Sequence, residues 1–202
     1  MRKIAVMSQK GGAGKTTLVV HLAVEAQRQG MKVEIVDTDP QQSAGVWSRA
    51  RGGDTPIVTH VQPTKLAAAL TQRASAGVEL VIIDTAPNAG PDAVDVARLA
   101  NLVLIPVRPG VFDLAAARQT IEVVKEARAR SVLVLSACPH RAPEVPMARE
   151  ALALSGLPVA ETSIGDRRAY SRAIQTGKAV NEFEPDGKAA AEIRALFEEI
   201  LK

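Results

Sequence analysis

One cysteine, Cys138, in 202 residues leaves no internal disulfide and no zinc or iron–sulfur site built from several thiolates. Aromatic side chains are scarcer still for a chain of this size, at 2%: three Phe, one Tyr and one Trp. That excludes a recognition surface of stacked rings, such as a platform for single-stranded nucleic acid. It leaves Ala, Val, Leu and Ile to fill the core. No apolar run reaches the ~18–20 residues that span a bilayer. The run after Met1-Arg2-Lys3 is only about five residues long, too short for the core of a secretory signal. A cytoplasmic protein is expected. There is no internal repeat and no Pro/Gly/Ser-rich linker to divide the chain, so a single domain over residues 1–202 is expected.

What is present is ordinary for a protein with a real core. Hydrophobic residues are 47% and charged residues 23%, which excludes disorder. The net charge is +3. That permits a polyanionic partner if the cations cluster.

Short apolar runs alternate with helix-prone stretches. Strands are expected at 4–7, 32–37, 56–61, 78–84, 102–107, 132–137 and 159–163. Helices are expected at 16–29, 64–75, 91–99, 113–128, 144–154 and 188–201, with another after Asp39-Pro40-Gln41 that carries Trp47 as a packing residue. The strand runs are continuously apolar rather than alternating, as in strands covered on both faces. The β-α-β-α order then predicts an α/β fold, a doubly wound and mostly parallel sheet with helices on both faces.

The most informative stretch is Lys10-Gly11-Gly12-Ala13-Gly14-Lys15-Thr16-Thr17, between the first strand and the first helix. Glycines let backbone N–H groups wrap a phosphate, and the helix N-terminus adds its positive dipole end. In such a loop Lys15 reaches the β- and γ-phosphates and Thr16 offers its hydroxyl to Mg²⁺. The common loop spacing has a glycine where this chain has Gln9, and a further lysine, Lys10, stands at the front.

Three carboxylates follow strands. Asp37 and Asp39 lie two residues apart at a strand end, both facing the ligand crevice. Asp39 is expected to position the attacking water and Asp37 to support Mg²⁺ or its water shell. The competing role for Asp39 is a helix N-cap. Val81-Ile82-Ile83-Asp84 is an apolar strand ending in an acid, the arrangement that orients Mg²⁺, usually through water. Thr85 to Gly90, rich in turn residues, reads as a switch that senses the γ-phosphate.

These motifs together resemble the deviant Walker A ATPases of the ParA/MinD superfamily, P-loop NTPases of the SIMIBI type, and most of all the short plasmid-partition ParA proteins. The resemblance covers essentially the whole chain. The family's loop reads Lys-Gly-Gly-x-Gly-Lys-Thr-Thr/Ser and its second strand is followed by Asp-x-Asp-Pro-Gln, both matched here. It implies that Lys10 reaches across a homodimer to phosphates held by the other subunit, so that two chains enclose two ATP molecules with Mg²⁺. It implies an ATP dimer that binds DNA without sequence preference, associating with the nucleoid, and a ParB-like partner that stimulates hydrolysis and releases it. Ile105 to Pro109 followed by Asp113 matches another family segment, although Asp113 also suits the N-cap of the next helix. His140 and Arg141 fall in the loop that contacts adenine in the family, whose usual Asn is absent here. His21, His60 and Cys138 read as structural residues.

Cations cluster twice. Arg167, Arg168, Arg172 and Lys178 face one acid, Asp166, between residues 165 and 178; these four are the candidate DNA contacts. Between 125 and 149, five cations face two acids. No helix-turn-helix segment is expected before the loop. The stretch from Glu192 to Lys202 carries three acids against two cations, unlike the basic amphipathic helix with which MinD-like proteins bind membranes, so no membrane partner is expected. The alternatives are the same chemistry positioning a protein cargo or compartment, a MinD-like membrane-surface ATPase, and a P-loop enzyme that passes phosphate to a small molecule.

Overall fold

The computed structural model describes residues 1–202 apart from Asp54, Asn88, Ala89 and the side chain of Pro91. Six strands form one sheet: β1 (Arg2–Val6), β2 (Val33–Asp37), β3 (Ile57–His60), β4 (Leu80–Asp84), β5 (Leu102–Val107) and β6 (Ser131–Leu135). Their spatial order is β3-β2-β4-β1-β5-β6, and every pairing among them is parallel. Parallel neighbours require crossovers, and five helices supply them: α1 (Lys15–Arg28), α2 (Ser43–Arg51), α3 (Leu66–Ser75), α4 (Pro91–Leu99) and α5 (Val111–Glu126); α6 (Glu144–Ala153) follows β6. Three more helices close the chain: α7 (Arg168–Gln175), α8 (Val180–Phe183) and α9 (Lys188–Leu201).

Alternation along each strand divides the core in two. Ile4, Val6, Ile35, Ile82 and Leu104 point to one face, packed by α1, α2 and α7 to α9. Ala5, Val36, Ile83, Val103 and Ile105 point to the other, packed by α3 to α6. Both faces are buried, so the strands read as unbroken apolar runs.

The order reverses on either side of β1, placing the switch point and its crevice at the carboxyl ends of the central strands. Those ends finish level: Asp84 lies opposite both Val6 and Asp37 in the register.

One expectation is corrected, and one helix is added. Residues 159–163 form no strand beyond a single bridge between Leu133 and Val159. Leu133 bonds Pro158 and Ala160, while Leu135 bonds Ile164, so four residues on this segment span two on β6. The intervening amides of Glu161 and Thr162 donate instead to the Glu199 carboxylate on α9. The stretch 168–178, read only for its charge, contains α7. Its signal was a short amphipathic pattern, with Tyr170 and Ala173 buried and Arg168 and Arg172 exposed.

Candidate functional site

The loop between β1 and α1 turns on two left-handed glycines, Gly12 at φ +74° and Gly14 at φ +94°. A side chain would strain either position. Gly14 caps α1 with no side-chain bond, so the first amides of the helix are left for an anion. The loop is also held from outside. Ser136, just past β6, donates from its hydroxyl to the Ala13 carbonyl at 3.0 Å, and the Gln9 amide donates to Thr120 Oγ1 on α5 at 3.2 Å. Neither tether was visible in the sequence, since each joins segments more than a hundred residues apart.

Lys15 and Thr16 open α1. Lys15 is only 7% exposed. Burial holds its ammonium below the ordinary lysine range, partly offset by the negative charges of Asp84 and Asp39. Thr16 Oγ1 donates to Asp84 Oδ2 at 2.7 Å, while Asp84 Oδ1 is buried without a partner. Burial pushes the Asp84 carboxyl up to about 7 against the pull of the Thr16 bond, and the nearby charge of Asp37 adds to the rise. A buried carboxylate with one oxygen unused, beside a hydroxyl, is an all-oxygen donor set that suits Mg²⁺, which keeps most of its other ligands as water and phosphate.

Asp37 is fully buried, and both of its oxygens are engaged. Oδ1 accepts the Asp39 amide at 3.0 Å and Oδ2 the Ala44 amide at 3.1 Å. The residue therefore caps α2 from the end of β2, because Gln42 at the N-cap position supplies no side-chain bond. The competing role for Asp39, a helix N-cap, is not what forms. Its Oδ1 accepts the Gln41 amide at 2.9 Å, and the half-exposed carboxylate lines a cavity of about 610 Å³ together with Lys15, Thr16, Ser43 and Trp47. Trp47 is buried as expected, and its indole N–H also reaches the Lys178 carbonyl.

A second cavity, about 500 Å³, opens on the other side of the loop. Gly12, Gly14, Arg108, Asp166 and Tyr170 line it, and Ile174 and Gln175 of α7 border both cavities. His140 and Arg141 are exposed and line neither. The wall is thus built by Arg108 and α7, which sequence reading did not connect to the loop.

Asp113 is not the N-cap of α5. Gly110 takes that position and Asp113 is the third helical residue, with Lys10 Nζ 2.8 Å from its Oδ1. Of the four candidate DNA contacts, Arg168, Arg172 and Lys178 are exposed. Arg167 is tied to Glu192, with Nε at 2.9 Å and Nη2 at 2.6 Å from Oε1. The cations at 125–149 are likewise partly committed: Arg149 holds the Ala160 carbonyl and Ser163, and Lys125 the Ser155 carbonyl. His21 and Cys138 are buried, as expected of structural residues. The switch stretch 85–90 includes Asn88 and Ala89, which lie outside the described residues. Thr85 itself donates to the Val6 carbonyl at 2.9 Å.

With this geometry in place, the comparisons are direct. The family model for the CobQ/CobB/MinD/ParA nucleotide binding domain matches residues 4–180. The chain belongs to this family. The ParA/MinD resemblance read from the loop therefore holds, and so does the α/β fold, with a sheet that is wholly rather than mostly parallel. Two relatives are named maintenance of carboxysome distribution protein A. The one from Gloeobacter kilaueensis is 32% identical, covering 100% of this chain and 93% of its own. The one from Halothiobacillus neapolitanus is 29% identical over 98% and 95%. A Rhizobium radiobacter relative named protein ParA is 29% identical over 88% and 84%. Among solved structures, the Pyrococcus furiosus cell division ATPase MinD superposes with a TM-score of 0.81 at 22% identity, over 98% of both chains. Among the described residues no helix is long and apolar enough to cross a membrane.

Proposed function

We propose that this chain is a Mg²⁺-dependent ATP hydrolase of the ParA type. Its ATP-bound homodimer binds DNA without sequence preference and associates with the nucleoid. A ParB-like partner stimulates hydrolysis and releases it, and the cycle segregates DNA. The observation that carries the reading is the Thr16–Asp84 pair. It sets an unused buried carboxylate oxygen behind a glycine loop whose lysine is desolvated, and Asp39 lines the cavity that Lys15 and Thr16 line.

In this reading the loop amides and Lys15 bind and orient the phosphates. Thr16 and Asp84 would hold Mg²⁺, which would neutralise phosphate charge there. Asp39 orients the water that attacks the γ-phosphate. Asp37 holds Asp39 and α2 in place through the Asp39 and Ala44 amides, and the remaining lone pairs of its two oxygens would support Mg²⁺ or its water shell. Lys10 acts across the dimer on phosphates of the other copy. Non-specific DNA contact falls to Arg168, Arg172 and Lys178, whose side chains are exposed.

A second reading differs only in cargo. The carboxysome-distribution relatives span almost the whole chain, which favours a protein assembly as the thing positioned.

The test is retention of random-sequence duplex DNA by wild type, Lys15→Ala and Asp39→Ala, each with ATP, with ADP and without nucleotide. ATP alone should switch binding on, Asp39→Ala should prolong it, and Lys15→Ala should abolish it. Rising salt should weaken it as counterions compete. A wild type that ignores DNA in every nucleotide state overturns the DNA-dependent reading.

A further inference from the structure

The two lysines of the loop are held differently. Lys15 is buried and lines the cavity, whereas Lys10 lines neither cavity beside the loop. Its ammonium sits 2.8 Å from Asp113 Oδ1 on the first turn of α5, with the two side chains 39% and 15% exposed. The contact has the distance of an ion pair without the alignment of a hydrogen bond. Two turns further along the same face of α5, Thr120 accepts the Gln9 amide. Helix α5 therefore backs the front of the loop at two points, one fixed by backbone and one by charge. The residues just before Asp113, Val111 and Phe112, are 78% and 84% exposed, so this turn is open to approach by another molecule.

We propose that Asp113 is a positioning residue that stores Lys10 in the free chain and sets the threshold for the ATP-bound dimer. The inference rests on the reading that Lys10 acts across a dimer. In the free chain one carboxylate charge holds the ammonium. When a second copy brings its nucleotide within reach, several phosphate charges compete for the same cation, and the ammonium exchanges one anion for a more highly charged one. A partly exposed ion pair is a weak store, so the threshold is modest and release needs no other movement of α5. Asp113 also favours the helix N-terminus electrostatically, which keeps the carboxylate in place after the lysine has left.

The experiment measures dimer formation against protein concentration by light scattering, with Mg²⁺ and a slowly hydrolysed ATP analogue. Asp113→Asn should lower the concentration for half-dimerisation roughly three- to tenfold, since each dimer frees two lysines. Asp113→Glu should stay near wild type. Gly110→Ala provides a second route that keeps the charge. Its Cβ would lie 2.9 Å from Asp113 Oδ2 at an unstrained φ of −79°, so it should displace the carboxylate and lower the threshold too. In a Lys10→Ala background Asp113→Asn should change nothing. A threshold that does not move in Asp113→Asn and Gly110→Ala, or that moves equally without Lys10, overturns the proposal while leaving the dimer reading intact. A wild type that stays monomeric with nucleotide overturns the dimer reading, and this inference with it.

Discussion

Helix α1 carries buried ionisable groups at two levels, and the two behave differently. At its first turn Lys15 is 7% exposed; in its middle His21 is 0% and Glu25 is 4% exposed. Both levels are desolvated, with Lys15 pushed below its usual range and His21 held at about 3. Both also contain a buried polar atom with no partner, Asp84 Oδ1 beside Thr16 and His21 Nε2 in the core. What separates them is access. Lys15 and Thr16 line an open cavity. His21 Nδ1 accepts the Val180 amide, its ring packs 5.1 Å from that of Tyr170, and Glu25 accepts the Asn181 side-chain amide. Burial and a shifted pKa thus mark both, but only the upper level is exposed to a ligand. The lower level ties α1 to α8 and the chain's end.

The comparison breaks first at Lys15. Lys15→Ala should reduce ATP affinity or turnover at least ~100-fold, as losing a charged donor to phosphate does. Its melting temperature should stay near wild type, because the lost ammonium had been costly to bury. A titration with nucleotide beside a thermal melt checks both, and a large drop in melting temperature would make Lys15 structural.

Asp39→Ala should slow hydrolysis by about a hundredfold, the lower end of the range for a residue that handles the attacking water. Nucleotide affinity should be retained, since the side chain is bonded only to the Gln41 amide. Single-turnover kinetics separates the two quantities.

At the lower level the expected loss is in stability. His21→Leu strands the Val180 amide and should cost about 1–3 kcal/mol, leaving turnover per folded molecule unchanged. The pH dependence sharpens this. The folded pKa of His21 lies below its ordinary value of 6.5, so above pH 6.5 the group is neutral folded or unfolded. As pH falls from 6.5 toward 3 the unfolded chain takes up the proton first, and stability drops by as much as ~4 kcal/mol. Denaturant melts of wild type and His21→Leu across that window should converge and then cross as pH falls, since the variant lacks the titrating group.

The smallest effects lie on α7. Arg168→Ala and Arg172→Ala should each lower the salt slope of DNA binding by about one counterion without changing stability. Arg167→Ala should do the reverse, costing on the order of 1 kcal/mol through the lost Glu192 bonds. Equal DNA defects from all three would mean that the Arg167–Glu192 pair opens on binding.

Much of this was legible in the chain. Continuous apolar runs with an acid or a glycine loop at their ends announce buried parallel strands and the crevice they feed. Loop, threonine and acid are each local motifs with a local physical cause. The segment at 159–163 misled because its apolar pattern suits a strand, while its amides are taken by a glutamate on a helix almost forty residues away. By local rule Asp113 suits a helix cap, and so does Asp39 in the reading that competes with its role toward water. The structure gives those helices Gln42 and Gly110 at the cap, and leaves one acid at a cavity and the other on Lys10.

The sequence by itself determined the alternation of the six strands with the helices between them, the glycine geometry of the loop, and which side chains are candidates for phosphate and metal. These follow from periodicity, φ preference and chemical type, all properties of short stretches. Only the tertiary structure decided which charges are free. Arg167 is held by Glu192, and Asp37 accepts the amides of Asp39 and Ala44. Asp84 keeps an unused oxygen, and Lys10 rests on a neighbouring helix. A charge is spent or available according to what the fold brings within a few ångströms of it, and that distance is set by packing between segments far apart in the chain.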